Sequence, residues 1–302
     1  MKMVLPVNWD RASEGNEELC TRFVKRQITD GSAVLPYRLF TPERKGTRAA
    51  ASEGFPLLIY LHGADAAGDD NEIQLSMHDI GTFPVRDDMQ QRHPCYVLAP
   101  QYGEMKHWAM ADVKDILWKL IEDTINSIED IDRKRIYIYG YSAGAVGLLR
   151  LLKEHDDIFA GAVAICGATG TWQLDNLLHT PLWMVHACDD TIVKSTYRTE
   201  RIREPGNLGS RDIMERLGSG DHHIVIKDRD PAGAVTMVLE KGERNPDADT
   251  VPPEDVDLRY TEYPEGYMTG GFGVNPHCSW VAVSDARSMG IWEWMFQNQR
   301  DI

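Results

Sequence analysis

The sequence predicts an α/β chain built on a mostly parallel, doubly wound sheet. Two observations carry that expectation. Short β-branched or aromatic runs alternate with longer amphipathic stretches, and one such run passes through Gly140-Tyr141-Ser142-Ala143-Gly144 almost directly into an amphipathic stretch. Parallel neighbours need a crossover long enough to be a helix, and strands covered on both faces read as nearly continuous apolar runs.

Residues 23–28 and 34–40 are read as an antiparallel edge. The core strands are expected at 56–61, 95–100, 135–139, 161–166, 181–186 and 258–263. Between them, 111–131 carries Val113, Ile116, Leu117, Leu120, Ile121, Ile125 and Ile128 at three- and four-residue spacing, which predicts a helix with one face on the sheet. A second helix is expected at 143–155, with Val146, Leu148, Leu149, Leu151 and Leu152 for its apolar contacts. Further on, 209–217 reads as a charged helical piece. Runs at 222–227 and 234–239, joined by Asp230-Pro231-Ala232-Gly233, read as a hairpin. The Pro-, Asp- and Glu-rich stretch 241–257 reads as an exposed loop. The chain is therefore expected to be one domain over 1–302, with 194–256 an insertion or lid ahead of the last core strand.

With 302 residues, 42% of them hydrophobic and 26% charged, the chain has enough apolar material for a large core. A net charge of -15 disfavours nucleic acid and anionic membrane surfaces as partners. Residues 1–11 show no basic segment leading into an apolar run, and no stretch is long enough to span a bilayer, so the cytoplasm is the expected location unless a signal peptide has been removed. Cys20, Cys95, Cys166, Cys188 and Cys278 have no paired spacing for zinc or redox chemistry and read as free thiols. Cys188 and Cys278 sit near candidate site residues, which makes a disulfide between them conceivable. The apolar Trp292, Trp294, Met295 and Phe296 suit either the core or a contact between copies of the chain.

The chemistry is concentrated at the strand ends. Small residues flank a serine where a strained strand-to-helix turn leaves no room for side chains, which makes Ser142 the candidate nucleophile. Acyl transfer also needs backbone donors for a developing oxyanion. Ala143, directly after the serine, supplies one candidate amide, and Ala64, after Leu61-His62-Gly63, the second. In this position His62 is expected to orient the loop and not to titrate. Trp183 to Asp190 reads as a strand ending in two carboxylates, with Asp190 the choice of acid and Asp189 the fallback. His277, in a Gly-rich loop beyond the last strand, is the candidate base. The order serine, acid, histidine is the one this kind of sheet uses. His186 is expected to be packed in the core or to stand directly behind the site residues, and His222 and His223 to be surface or lid residues. Tyr102, Trp108, Tyr141 and Trp172 fall in loops near the carboxyl ends of strands and are the substrate-binding candidates, ordinary packing being the alternative.

The segments Tyr60-Leu61-His62-Gly63, Gly68-Asp69-Asp70-Asn71, Ala99-Pro100-Gln101, Arg135 to Gly144, Ile165-Cys166-Gly167, His186 to Val193 and His277-Cys278-Ser279-Trp280 together resemble the α/β-hydrolase esterases related to polyhydroxybutyrate depolymerases, feruloyl esterases and predicted peptidases. The resemblance covers residues 34–298. It implies that the aspartate two residues before Ile192-Val193, namely Asp190, is the triad acid, and that the histidine shortly before Trp280, namely His277, is the base. The loop after His62-Gly63 departs from the family: it reads Ala-Asp-Ala-Ala where relatives carry a Gly-Glu-Arg-like string. What the resemblance implies is a carboxylesterase-type serine hydrolase acting on small or aromatic acyl esters, without metal or organic cofactor. Its rivals are a peptidase of the prolyl-oligopeptidase type and a non-catalytic binding protein on the same fold.

Overall fold

A computed structural model describes residues 16–43, 54–199, 201–202, 206–219, 222–241, 256–285 and 290–301. Residues 1–11 and most of the loop expected at 241–257 lie outside these. The strands are β1 Val24–Asp30, β2 Ala33–Phe40, β3 Phe55–Leu61, β4 Tyr96–Pro100, β5 Ile131–Tyr141, β6 Gly161–Ile165, β7 Ala168–Gly170, β8 Leu182–Ala187, β9 Asn207–Gly209, β10 His222–Arg229, β11 Val235–Lys241 and β12 Leu258–Tyr263. Ten of them form one sheet in the order β1-β2-β4-β3-β5-β6-β8-β12-β11-β10, and β7 pairs with β9 apart from it. The six central strands, β4 to β12 in that order, run parallel; the outer strands on both flanks are antiparallel.

The central strands have the composition that two-sided burial demands. Every residue of β3 is buried; Leu57, Ile59 and Leu61 face one apolar cluster, and Leu58 and Tyr60 face the other, the period of two that a pleated strand imposes. The first cluster is closed by the helices Ala111–Ser127 and Ala143–Glu154, whose buried residues recur at three- and four-residue spacing. The second is closed by Trp280–Val283 and Ile291–Gln297. Trp292, Trp294 and Met295 are thus core residues, and Trp294 donates its indole N–H to Asp257 Oδ2 at 2.7 Å.

Two boundaries moved relative to the sequence reading. The helix over 111–131 ends at Ser127 and β5 already begins at Ile131, because Phe55 takes up the Asp130 carbonyl at 2.7 Å and Ile131 pairs with Phe55. The 222–239 hairpin is built onto the sheet: β11 pairs with β12, and β10 forms the outermost strand. His222, read as a surface or lid residue, is buried there. Among the described residues no helix is long and apolar enough to cross a membrane. None of the five cysteines is in a disulfide; Cys188 is exposed and Cys278 buried.

Candidate active site

The order of the central strands puts the ends of β3, β5, β6 and β8 side by side, and the expected site residues come from those ends. β5 finishes at Tyr141 and a helix starts at Ala143, so Ser142 must turn the chain alone. It does so at φ 52° and ψ −119°, a region that side chains rarely occupy. The serine amide donates to the Ile165 carbonyl at 2.9 Å, and its own carbonyl accepts the first helical bond, from Val146, at 3.0 Å. The flanking glycines have a steric reason. A Cβ on Gly144 would stand 1.9 Å from the Leu61 carbonyl oxygen, and one on Gly140 would stand 2.7 Å from it. The elbow is pressed against the end of β3, and only glycine allows that approach.

His277 brings its ring to this elbow from the loop beyond β12. Its Nε2 is 2.9 Å from Ser142 Oγ, and its Nδ1 is 2.7 Å from Asp190 Oδ2. Asp190 follows β8 in a turn closed by its amide on the Ala187 carbonyl at 3.2 Å. Its Oδ1 accepts the amides of Ile192 at 2.8 Å and Val193 at 3.2 Å, and its Oδ2 accepts His277 and, at 3.2 Å, His186 Nε2. Burial pushes the Asp190 carboxyl up, but hydrogen bonds and charge from His186 and His277 outweigh it and hold the group down at about 2. Asp189, the fallback acid, is turned away from this network: its Oδ2 accepts the Gly266 amide at 2.9 Å.

His186 is buried and stands behind the acid. Its Nε2 faces two acceptors, Asp190 Oδ2 and, at 2.7 Å, the Val193 carbonyl, so that nitrogen carries the proton. Nδ1 then accepts from the Ser210 hydroxyl at 2.9 Å.

On the other side of the elbow, Ala64 opens a short 3-10 turn, Ala64–Ala66, whose backbone bonds use the amides of Ala66 and Ala67. The Ala64 and Ala143 amides both stand in first turns, where no helical acceptor precedes them. His62 is fully buried beneath this loop. Its Nδ1 donates to the Gly63 carbonyl at 2.6 Å, its Nε2 accepts from the Tyr102 amide at 3.4 Å, and burial lowers its pKa to about 4. It is a neutral pivot for the loop.

A second carboxylate–histidine pair, which sequence reasoning missed, braces the same loop. Asp65 Oδ2 accepts His78 Nε2 at 2.6 Å, and Asp65 Oδ1 accepts the Tyr141 hydroxyl at 2.8 Å. Burial raises the Asp65 carboxyl, yet the hydrogen bonds and charge of His78 and the Tyr141 hydroxyl bring it below its ordinary value. The residues next to the candidate oxyanion donor and the candidate nucleophile are therefore tied together. The departure Ala-Asp-Ala-Ala in the loop was the one available signal.

The aromatics expected to contact a substrate need correction. Tyr102, Trp108 and Tyr141 are each 1% exposed and are packing residues. Trp108 donates its indole N–H to the His62 carbonyl at 2.9 Å, the Tyr102 ring packs tilted against the His62 ring at 4.6 Å, and Tyr141 packs on Trp280 at 4.4 Å. A loop at the carboxyl end of a strand can turn its side chain inward as readily as outward, and these three turn inward. Trp172 alone is open, at 53% exposure. Among the described residues no group of three or more His, Cys, Asp or Glu side chains is arranged to hold a metal ion.

No protein-family model and no curated protein sequence matches the chain. Among solved structures, a thermostable esterase is similar over 94% of this chain with a TM-score of 0.70 and 25% identity, and the chain spans 64% of that protein's length. FphF, a fluorophosphonate-binding serine hydrolase of Staphylococcus aureus, is similar over 91% of this chain and 98% of its own, with a TM-score of 0.51 and 14% identity.

Proposed function

On the α/β-hydrolase fold that the chain adopts, we propose that it is a serine hydrolase acting on carboxylic esters of small or aromatic acyl groups through an acyl-enzyme on Ser142. The observation that carries this reading is the unbroken hydrogen-bond path from Asp190 through His277 to Ser142, at 2.7 and 2.9 Å, on a backbone turn of positive φ. The likeness to a thermostable esterase supports the ester class.

In this mechanism Asp190 accepts Nδ1–H of His277, which leaves Nε2 as the base. Nε2 takes the Ser142 proton as Oγ attacks the acyl carbon, and the Ala64 and Ala143 amides receive the oxyanion. When the tetrahedral adduct collapses, the bond to the alkoxide breaks and His277 returns the proton to the departing alcohol. Water, deprotonated by the same nitrogen, attacks the acyl carbon; the acid leaves and the proton goes back to Oγ.

The test is a comparison of initial rates on 4-nitrophenyl esters, methyl ferulate and aminoacyl anilides, with the native protein and Ser142→Ala. Ester turnover that disappears in the variant is the expected result. Turnover of anilides alone would replace the ester reading with a peptidase, and ester turnover that survives in Ser142→Ala would remove the nucleophile.

A further inference from the structure

Beside the helix that follows Ser142 lies a groove whose volume is about 580 Å³, bounded by that helix, by β7 and β9, and by Trp172 and Val193. Two of its lining residues are bonded through their backbone amides to the site described above. Val146, which lines it, donates its amide to the Ser142 carbonyl at 3.0 Å, and Val193, which also lines it, donates to Asp190 Oδ1 at 3.2 Å. From there the groove follows one helix face through Arg150 to Lys153. At about 1.5 Å of rise per residue these lie roughly 12 and 16 Å along the axis from Ser142.

Lys153 is the unusual residue. It is only 4% exposed, its ammonium donates to the Gly170 carbonyl at 3.1 Å, and it lies 5.6 Å from the centre of the Trp172 ring. Among the described residues no carboxylate is in ion-pair contact with it. The nearest candidate, Glu154, is already shared: Arg150 Nε reaches its Oε1 at 2.9 Å and Lys114 Nζ its Oε2 at 2.8 Å. Burial accordingly lowers the Lys153 pKa, and the Arg150 charge adds to the shift while Glu154 opposes it. A nearly buried ammonium without a counter-charge is costly unless an anion comes to it. Arg150 adds a guanidinium of which only one nitrogen is used by Glu154. The half-exposed Trp172 indole gives a flat apolar surface next to the Lys153 ammonium in the groove that Arg150 also lines, and Tyr197 and Asn207 add a hydroxyl and an amide to the lining. In a chain of net charge -15, this groove is a local reversal of sign.

We propose that the groove is a subsite for the far end of the ester substrate, and that this end is an acidic aromatic ring, its carboxylate met by Lys153 and Arg150 and its plane laid against Trp172. One ammonium lacking a counter-charge matches one carboxylate. The inference rests on the hydrolase reading and deepens it: the preferred esters carry a negative charge remote from the bond that is cut.

Calorimetric titration with biphenyl-4-carboxylate and with the neutral biphenyl-4-methanol tests it. At low salt the acid is expected to bind about tenfold or more tightly than the alcohol, a charge-assisted gain that fades as salt rises. In Lys153→Met the preference disappears, in Arg150→Gln it falls about threefold, and in Trp172→Ala both probes weaken together. Circular dichroism reports whether Lys153→Met is folded, and Arg150→Gln, at a half-exposed side chain, keeps the test open if it is not. Equal binding of acid and alcohol to the native protein, a preference undiminished in Arg150→Gln, or one that survives in folded Lys153→Met, overturns the subsite. Turnover of 4-nitrophenyl acetate by the native protein, too small an ester to reach the groove, reports separately on the hydrolase reading.

Discussion

Two carboxylate–histidine pairs flank the elbow, and neighbouring residues bring a hydroxyl to each. Asp190 and His277 stand 2.7 Å apart with Ser142 beyond the histidine; Asp65 and His78 stand 2.6 Å apart with Tyr141 on the carboxylate. The components are nearly the same, and their connectivity differs. In the first pair the carboxylate takes Nδ1 and leaves Nε2 free to face a hydroxyl that can lose its proton. In the second the carboxylate takes Nε2, and the hydroxyl donates to the carboxylate itself, leaving no base opposite a nucleophile. The Tyr141 hydroxyl is buried, and burial drives its pKa well above the ordinary value. A base, a tautomer anchor and a nucleophile in series make a reactive site; a carboxylate that receives both donors makes a brace. The brace joins the residue after Ala64 to the residue before Ser142, so the proposed oxyanion donors keep their spacing through it.

Substitutions can break either half of this comparison. The largest effect is expected from Ser142→Ala or His277→Ala, each lowering kcat on a reactive ester by on the order of a million-fold where the triad acts as a unit. Asp190→Asn comes next, at about ten-thousand-fold in kcat, because the amide stabilises the wrong tautomer and charge state of His277. Asp65→Asn and Tyr141→Phe are expected to cost roughly ten- to a hundredfold in kcat with KM little changed. This is less than the roughly 10²–10³ of deleting an oxyanion donor outright, since the amides stay present but loosely held. An unchanged kcat in both variants would reduce the brace to simple packing, and steady-state kinetics on 4-nitrophenyl acetate reads the difference.

The last effect is on stability and not on turnover, and it depends on pH. His62 is buried neutral with its pKa lowered to about 4, while the unfolded chain titrates it near 6.5. Between those values the unfolded state binds the proton and the native state does not. The stabilisation is therefore complete above pH 6.5 and is lost as pH falls toward 4, by about 3 kcal/mol. Asp190 continues the trend at lower pH: its carboxyl, depressed from 3.8 to about 2, adds a loss that begins near pH 4 and runs to pH 2. Chemical-denaturation curves from pH 7.5 to 4 check the first window; a flat profile there contradicts the neutral-pivot assignment of His62.

How much of this was legible in the sequence depends on whether a residue's partner is set by periodicity or by a loop. The central strands declared themselves because burial on both faces leaves nothing polar in runs such as Phe55–Leu61. The first four residues of β5, Ile131 to Lys134, were missed because Asp132, Arg133 and Lys134 are charged and leave the core, while Ile131 alone stays buried. Ser142, Asp190 and His277 could be chosen from motif and chain order, and the fold brings those three together. Asp65 and His78 meet across thirteen residues that hold only a 3-10 turn and one helical turn, Ile73–Ser76, so no period links them. The aromatics failed for the same reason: position at a strand end says that Tyr102 and Trp108 are near the site, not which way their rings turn.

The most direct test of the central claim is covalent labelling with a fluorophosphonate, followed by mass spectrometry of the intact chain and its peptides. The account predicts one label per chain, on Ser142, and a label lost in Ser142→Ala and slowed by several orders of magnitude in His277→Ala. A native chain that stays unlabelled, or a label that falls on any other residue, contradicts it.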